Sequence, residues 1–599
     1  MKQLKALRWI EAKLEKDRTI VLIIAIAGLI AYLNSVEVPF ILDDFGSISN
    51  NYAIHHLFDF AALWKFYANR VVLYFTLSLN YAVHDNGVEG YHVVNLLIHI
   101  INGLILYAII YKLLVLPYFA GKLLSRYRKL VSVSIALLFI VHPIQVNAVS
   151  YIVQRTASLA ATFYFAAVLL FIMYRTNNKI RHFILMMFFI LLAMFTKENT
   201  ITIPIMLLLI ELFFFVGNGK TAWYKRIVIF VIIFATVPII PGTNLLLKGY
   251  SQSDPGVSFK ASTSMDRLQY FYTELNVVLL YIRLMFMPDW QNFDYSNDWP
   301  VSKTIWDNYS YLSFAIWILI GILTLFLIKR NRLVAFGILW FFIGLAVEST
   351  FISIKDVYFE HRLYFPCAGF LMFLAGMIFY ERKPQEPGRR RYYFKKPVLL
   401  FCIVTFVCYF VYTGLTIKRN YVYSDSIRLW SDVVEKAPGS DRGHSVLGTS
   451  YLNAYDEKKK NTGYLDIAEK EFGKSIDIYY HSSTAHTNLA KVYLLKGEYQ
   501  KCIDEAQKSL NITKSEYAEY NIGSAYDKMG NTTQSLKAYL DGYSINNRST
   551  FILKALGDSY YKLGDYKNSI FYYEEYIKNN RGSDNPSIKK KIEEMKKKK

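Results

Sequence analysis

Eleven stretches of about 15–25 mostly apolar residues recur through the first 420 positions, near 19–36, 92–116, 130–146, 157–175, 182–196, 199–217, 226–241, 311–328, 333–352, 363–380 and 397–416. Runs of that length match the span of a bilayer and predict transmembrane helices. Two further segments, 71–84 and 268–287, are apolar but interrupted by polar residues, and are expected to lie in the interface as helices. Beyond residue 420 the pattern changes to amphipathic helices with an internal period. Leu489-Ala490-x-x-Tyr493, Ile522-Gly523-x-x-Tyr526 and Leu556-Gly557-x-x-Tyr560 repeat at 33 and 34 residues, each followed by a turn glycine (Gly497, Gly530, Gly564). Leu447-Gly448-x-x-Tyr451 is an earlier copy, its unit lengthened by the lysine-rich insertion Lys458–Asn461. This is the tetratricopeptide pattern, in which stacked helix pairs form a superhelix with a concave face. The expected fold is therefore all-α: a polytopic membrane domain of about eleven helices over 1–420, with its first outer loop at 37–91, then a solenoid over 421–599 with about four repeats at 440–582 and a basic tail.

Charge orients this arrangement. Six Lys/Arg precede the first apolar run, and basic loops recur at Lys122–Lys129, Arg175–Arg181, Lys220–Arg226, Lys329–Arg332 and Arg382–Lys396. By the positive-inside rule those loops are cytoplasmic, and an odd number of spans places the repeats outside. The net charge of +21 is thus mainly a topology signal, since from Ile417 onward 30 Lys/Arg face 24 Asp/Glu. Nucleic acid is not an expected partner. Hydrophobic residues make up 53% of the 599 positions, which suits a membrane protein with a soluble appendage. Four scattered cysteines show neither a disulfide framework nor a zinc pattern, and no metal ligand set is assigned. The first apolar run lacks a small-residue cleavage site and is read as a retained span.

Ionisable residues collect at the predicted outer ends of the spans, where their burial cost calls for a role. Asp43-Asp44 follows the first span, with Arg70 in the loop behind it. His92, Asn95, His99 and Asn102 share one face of the second span. His142-Pro143 closes the third, Gln154-Arg155 precedes the fourth, Lys197-Glu198 sits between the fifth and sixth, and Glu360-His361-Arg362 opens the tenth. Each has a plain structural reading too: a solvated pair or cap for the aspartates, a local ion pair for Lys197-Glu198, interhelical hydrogen bonding for the second-span stripe. Together they carry a chemical logic. Sugar transfer from a lipid phosphate needs a carboxylate to take the proton of the acceptor hydroxyl, and cations beside the leaving phosphate. Asp43 or Asp44 is the expected base.

The ordered series Phe40-Ile41-Leu42-Asp43-Asp44-Phe45-Gly46, Leu79-Asn80-Tyr81, Gly90-Tyr91-His92-x-x-Asn95-x-x-x-His99, His142-Pro143-Ile144-Gln145, Gln154-Arg155, Lys197-Glu198 and Glu360-His361-Arg362-Leu363-Tyr364 resembles the transmembrane and tetratricopeptide-repeat O-mannosyltransferase-like proteins, over essentially the whole chain. The resemblance implies a bacterial-type member of the GT-C glycosyltransferases, using a polyprenyl- or dolichyl-phosphate sugar donor. It implies a catalytic acidic residue at Asp43 or Asp44. Donor-phosphate contacts would fall to Arg155, Lys197, Arg362 and His142, supported by Glu198, Glu360, Arg70 and His92. Some enzymes of that kind use a divalent metal and others none, so the cofactor stays open. The expectation is transfer to Ser/Thr of a polypeptide presented by the repeats, outside a bacterial inner membrane. Two alternatives stand beside it: transfer to an envelope glycan or lipid, and a non-catalytic membrane scaffold that recruits partners through the repeats.

Overall fold

The computed structural model describes residues 17–215, 223–246, 265–295, 298–354, 356–380, 395–458, 462–580 and 585–597. The basic residues before position 17, Lys220, the charges of 382–394 and the core of the 458–461 insertion lie outside the described residues. Among the described residues every regular element is helical. The chain divides into two compact units, one formed by Met1–Phe293 and Pro300–Leu429, the other by Asp294–Trp299 and Trp430–Lys599.

Among the described residues of the first unit, seven helices are long and apolar enough to cross a membrane: Asp17–Ser35, Val88–Leu114, Ile152–Asn177, Glu198–Phe215, Trp223–Thr243, Asp307–Arg330 and Lys396–Tyr423. The expectation of about eleven such spans is corrected on this point. The run near 130–146 is a helix pair, Arg128–Val141 and Pro143–Val149, bent by 52°. Pro143 lacks the N–H that would continue the first helix. Three other runs form only Ile180–Met194, Arg332–Leu345 and Pro366–Ile378, of 15, 14 and 13 residues. Helices of that length rise about 20–22 Å, short of the roughly 30 Å hydrocarbon core. Val71–His84 and Arg267–Phe286 are helices as expected, and neither is among the seven.

Small residues set the closest packing. A Cβ on Gly337 would lie 2.6 Å from the Gly369 carbonyl oxygen, and one on Gly369 would lie 2.7 Å from that of Gly337. The helices Arg332–Leu345 and Pro366–Ile378 thus touch backbone to backbone, the contact that small residues permit where apolar burial gives little drive to associate.

In the second unit the helix pairs Asp441–Lys458/Thr462–Ile478, Ser483–Lys496/Tyr499–Ile512, Glu516–Lys528/Thr532–Ile545 and Thr550–Lys562/Tyr566–Asn579 follow in series, with Pro586–Lys597 after the last. The turn glycines Gly497, Gly530 and Gly564 adopt φ of 81°, 80° and 76°, a left-handed conformation that side chains disfavour. In three of the four pairs the small residue faces an aromatic ring on the second helix of its own pair: Gly448 meets Phe472, Gly523 meets Tyr539 and Gly557 meets Tyr573. Tyr572 and Tyr573 are buried in this packing, whereas Tyr479, Tyr480 and Tyr517 are exposed.

Candidate functional site

The first outer loop folds back on itself at Leu42, a residue forced to φ 38°. What holds this turn is the next-but-one side chain. Asp44 is fully buried, and its two carboxylate oxygens accept the backbone N–H groups of Ile41 at 2.9 Å and Val153 at 2.7 Å. One carboxylate therefore closes the loop on itself and ties it to the segment before the Arg155–Asn177 helix. Burial pushes the Asp44 carboxyl up to about 8, against the pull of the two N–H donors. Asp43 points the other way and is exposed. Its backbone N–H donates to the Tyr151 hydroxyl at 3.0 Å, and that hydroxyl also hydrogen-bonds the Asp43 carboxylate. The adjacent aspartates thus have opposite environments.

Arg155 follows directly on this tied segment and is completely buried. Its Nε donates to Asn95 at 2.6 Å, and its two terminal nitrogens donate to the carbonyls of Thr76 and Tyr91 at 3.2 and 3.1 Å. Asn95 in turn donates to the carbonyls of Val149 and Ile152. The guanidinium so arranged joins the Val71–His84 and Val88–Leu114 helices to the loop that carries Asp44. His92 donates to the Val38 carbonyl and secures the start of the first outer loop. His99 and Asn102 both meet the Tyr364 hydroxyl, so the polar stripe of the second span is interhelical hydrogen bonding along its length.

A second group is built from cation–carboxylate pairs. Arg70 reaches Glu198 through two nitrogens at 3.3 and 3.2 Å, and Tyr67 donates to the same carboxylate. Lys197 meets Glu348 at 2.8 Å. Arg362 pairs with Glu274 at 3.3 Å and donates to the carbonyls of Val357 and Asp356 at 2.8 and 2.6 Å. Burial pushes Glu274 up to about 7 despite Arg362. Burial also opposes ionisation of Glu348, yet Lys197 and Arg362 hold it below the usual carboxylate range. His361 lies within electrostatic reach of Lys197, Arg362 and Arg70; burial first, and those cations after it, keep its ring neutral. Its Nδ1 bonds Asn147 at 2.9 Å.

Glu360 is fully buried and accepts Gln291 at 2.8 Å and Tyr358 at 3.2 Å, with Arg419 at 4.0 Å. His142 accepts the Ile144 N–H through Nδ1 and so donates through Nε2 to the Met285 carbonyl. Every residue singled out in the sequence therefore has a defined place. Asp43, Asp44 and Arg155 belong to one connected group, while Arg70, Lys197, Glu198 and Arg362 surround His361 and the 348–362 segment. Of the acidic and cationic members, Asp43 is the one exposed; Arg70 keeps 21% of its side chain accessible, against 5% for Lys197 and 2% for Arg362. Sequence reasoning missed Glu274, Glu348, Asn147, Tyr151 and Gln291. Glu274 and Glu348 had a signal, since each is a carboxylate within or closing an apolar run. Among the described residues no three His, Cys, Asp or Glu side chains gather closely enough to hold a metal ion.

Comparison with known proteins adds three findings. A tetratricopeptide-repeat family model matches residues 520–548 and 555–582, the last two helix pairs. A protein O-mannosyl-transferase of Caenorhabditis elegans is 24% identical over 444 residues, which is 71% of this chain and 59% of the relative's length. Solved structures similar to part of the chain include MamA from Desulfovibrio magneticus (15% identity, 26% of this chain, 85% of that one, TM-score 0.23) and a tetratricopeptide protein of Thermus thermophilus (10%, 33%, 94%, 0.24).

Proposed function

We propose that this chain is a membrane glycosyltransferase that moves a sugar from a polyprenyl-phosphate carrier to a hydroxyl group on the outer face, with Asp43 as its base. The observation that carries the reading is the division of labour at the aspartate pair: Asp44 has both oxygens committed to backbone N–H groups, which leaves Asp43 exposed and rigidly based beside it. A general base needs a held but reachable carboxylate, and placement of that kind contributes about 10²–10⁴ in rate. Similarity to an O-mannosyl-transferase supports the reaction class, and the GT-C fold is proposed on the resemblance of the motifs quoted above to the transmembrane and tetratricopeptide-repeat family.

In the proposed reaction the acceptor oxygen bonds to the anomeric carbon as the bond from that carbon to the phosphate oxygen breaks. The electron pair leaves with the phosphate, and the hydroxyl proton passes to Asp43. Charge growing on the phosphate is met by Arg70 and Lys197, whose present carboxylate partners a phosphate can exchange for. Arg155, Arg362, His142 and Glu360 hold the outer segments in register, through the buried hydrogen bonds described above, while His92 and Glu198 position the loop and Arg70. In this reading the repeats lie outside, as extracytoplasmic presenters of a Ser/Thr-bearing polypeptide: the basic stretch Arg382–Lys396 is taken as cytoplasmic, and one long apolar helix, Lys396–Tyr423, separates it from them.

The test is transfer by the purified chain from radiolabelled polyprenyl-phosphate sugars into a peptide or protein acceptor. Wild type should transfer and Asp43→Asn should not, with both proteins folded. Equal transfer by the two sinks the assignment of Asp43. No transfer by either, from any donor and with divalent metals supplied, sinks the enzyme reading in favour of a scaffold.

A further inference from the structure

The end of the membrane unit remote from Asp43 carries a second charged constellation. Glu211 begins a π-helical turn, Glu211–Phe215, that continues the Ile203–Ile210 helix. Its carboxylate, almost fully buried, takes Arg175 in a two-point contact, Nε at 2.6 Å and a terminal nitrogen at 2.9 Å. Arg226 approaches the same carboxylate at 3.5 Å from the start of the next helix. Arg332 donates to the Phe213 carbonyl at 2.7 Å within the same turn. Two guanidinium groups thus share the Glu211 carboxylate and a third holds the backbone of the same turn. Three cations beside one carboxylate give this cluster a net positive charge.

Next to it lies a groove of about 420 Å³, whose apolar lining includes Leu208, Leu212, Ile227, Phe230, Val231 and Phe234. Glu211 and Arg226 complete its wall. Leu212, Ile227 and Val231 are each more than half exposed. Both walls belong to helices long and apolar enough to cross a membrane, Glu198–Phe215 and Trp223–Thr243. A groove there is bathed by acyl chains, and its one charged end is cationic. Glu211 lies thirteen residues from Glu198 on one helical rod, about 20 Å at 1.5 Å per residue, so the groove is remote from the Lys197–Glu198 group.

We infer that this groove is a binding site for an anionic glycerophospholipid, acyl chain against the Leu212–Phe234 walls and headgroup phosphate on Arg226. Charge complementarity selects the occupant. A zwitterionic lipid fills the apolar part equally well but returns less from the surplus guanidinium charge. A free phosphate meets the charge and leaves the apolar walls unused. A single basic side chain at an anionic lipid surface is worth about a fivefold preference. The site does not depend on the transferase reading.

The experiment uses the full chain in neutral detergent, titrated with phosphatidylglycerol or phosphatidylcholine of the same acyl chains, with bound lipids counted by native mass spectrometry. Wild type should retain one phosphatidylglycerol at least about fivefold better than phosphatidylcholine. Arg226→Gln should remove the preference and Arg226→Lys should keep most of it. Val231→Trp, which fills the groove and leaves every charge in place, should weaken both lipids alike. Equal retention of the two lipids by wild type overturns the inference, as does phosphatidylglycerol binding unchanged in Arg226→Gln and Val231→Trp. Displacement by millimolar inorganic phosphate, with no effect of Val231→Trp, would make it an anion site and not a lipid site. Melting temperature monitors folding, and if Arg226→Gln does not fold, Val231→Trp and the lipid pair decide.

Discussion

Replacing the two neighbouring aspartates one at a time should damage different properties of the protein. Asp44→Ala deletes the acceptor of two backbone N–H groups, those of Ile41 and Val153, at a site with no solvent exposure. A buried donor left without a partner costs about 1–3 kcal/mol, so the pair costs about 2–6 kcal/mol. The lower half of that range is expected, because the burial that raises the Asp44 carboxyl to about 8 shows that the native state already spends free energy holding it there. Asp43→Ala removes an exposed carboxylate and the partner of one hydroxyl, Tyr151, for about 1 kcal/mol or less. Transfer rates should reverse the order: Asp43→Asn should lose about 10²–10⁴ in rate at unchanged melting temperature. Tryptophan-fluorescence melting in detergent and radiolabel transfer on the same samples measure both. An Asp43 variant that melts below the Asp44 variant, or an Asp43→Asn protein of full activity, would refute the division of roles.

Three further outcomes are expected. Stability should fall as pH rises from about 5 to 8.5. Asp44 and Glu274, raised from ordinary values of 3.8 and 4.5 to about 8 and about 7, still hold protons in the native state through that window, whereas the unfolded chain has already released them below it. Melting temperatures at pH 5.5 and 8.5 measure this fall, and Glu274→Gln should reduce it. Lys197→Met should cost about 3–5 kcal/mol by stranding Glu348, and adding Glu348→Leu should recover most of the loss, read as melting of the single and double variants. Gly369→Val should lower the melting temperature by several degrees, from about 1–3 kcal/mol of overpacking against the Gly337 carbonyl, whereas Gly414→Val, with nothing within 4 Å of its Cβ, should not.

Much of the architecture was legible in the sequence because periodicity is a one-dimensional signal. The 33- and 34-residue spacing of Leu489, Ile522 and Leu556 predicts paired helices, and helix pairs are found there. Span lengths were less legible. Hydropathy does not register that Pro143 bends a helix or that Arg332–Leu345 stops after fourteen residues, since both follow from backbone geometry. The polar residues at the helix ends could be picked out singly, but their partners could not. Glu274 is 88 positions from Arg362, and Val153 is 109 from Asp44, separations at which a sequence pattern says nothing about contact.

The sequence alone therefore determined the elements: long apolar runs, a repeat period, short basic stretches between the runs, and an aspartate pair just after the first of them. Each depends only on residue type and spacing, which local chain geometry converts into helices without reference to distant contacts. Tertiary structure alone decided which aspartate is buried and which is open, and which cations bind backbone carbonyls and which pair with carboxylates. It also placed Arg226 beside an apolar groove. Those outcomes depend on where distant backbone groups arrive, because a carboxylate's environment is set by the donors and solvent around it and not by its neighbours in the chain.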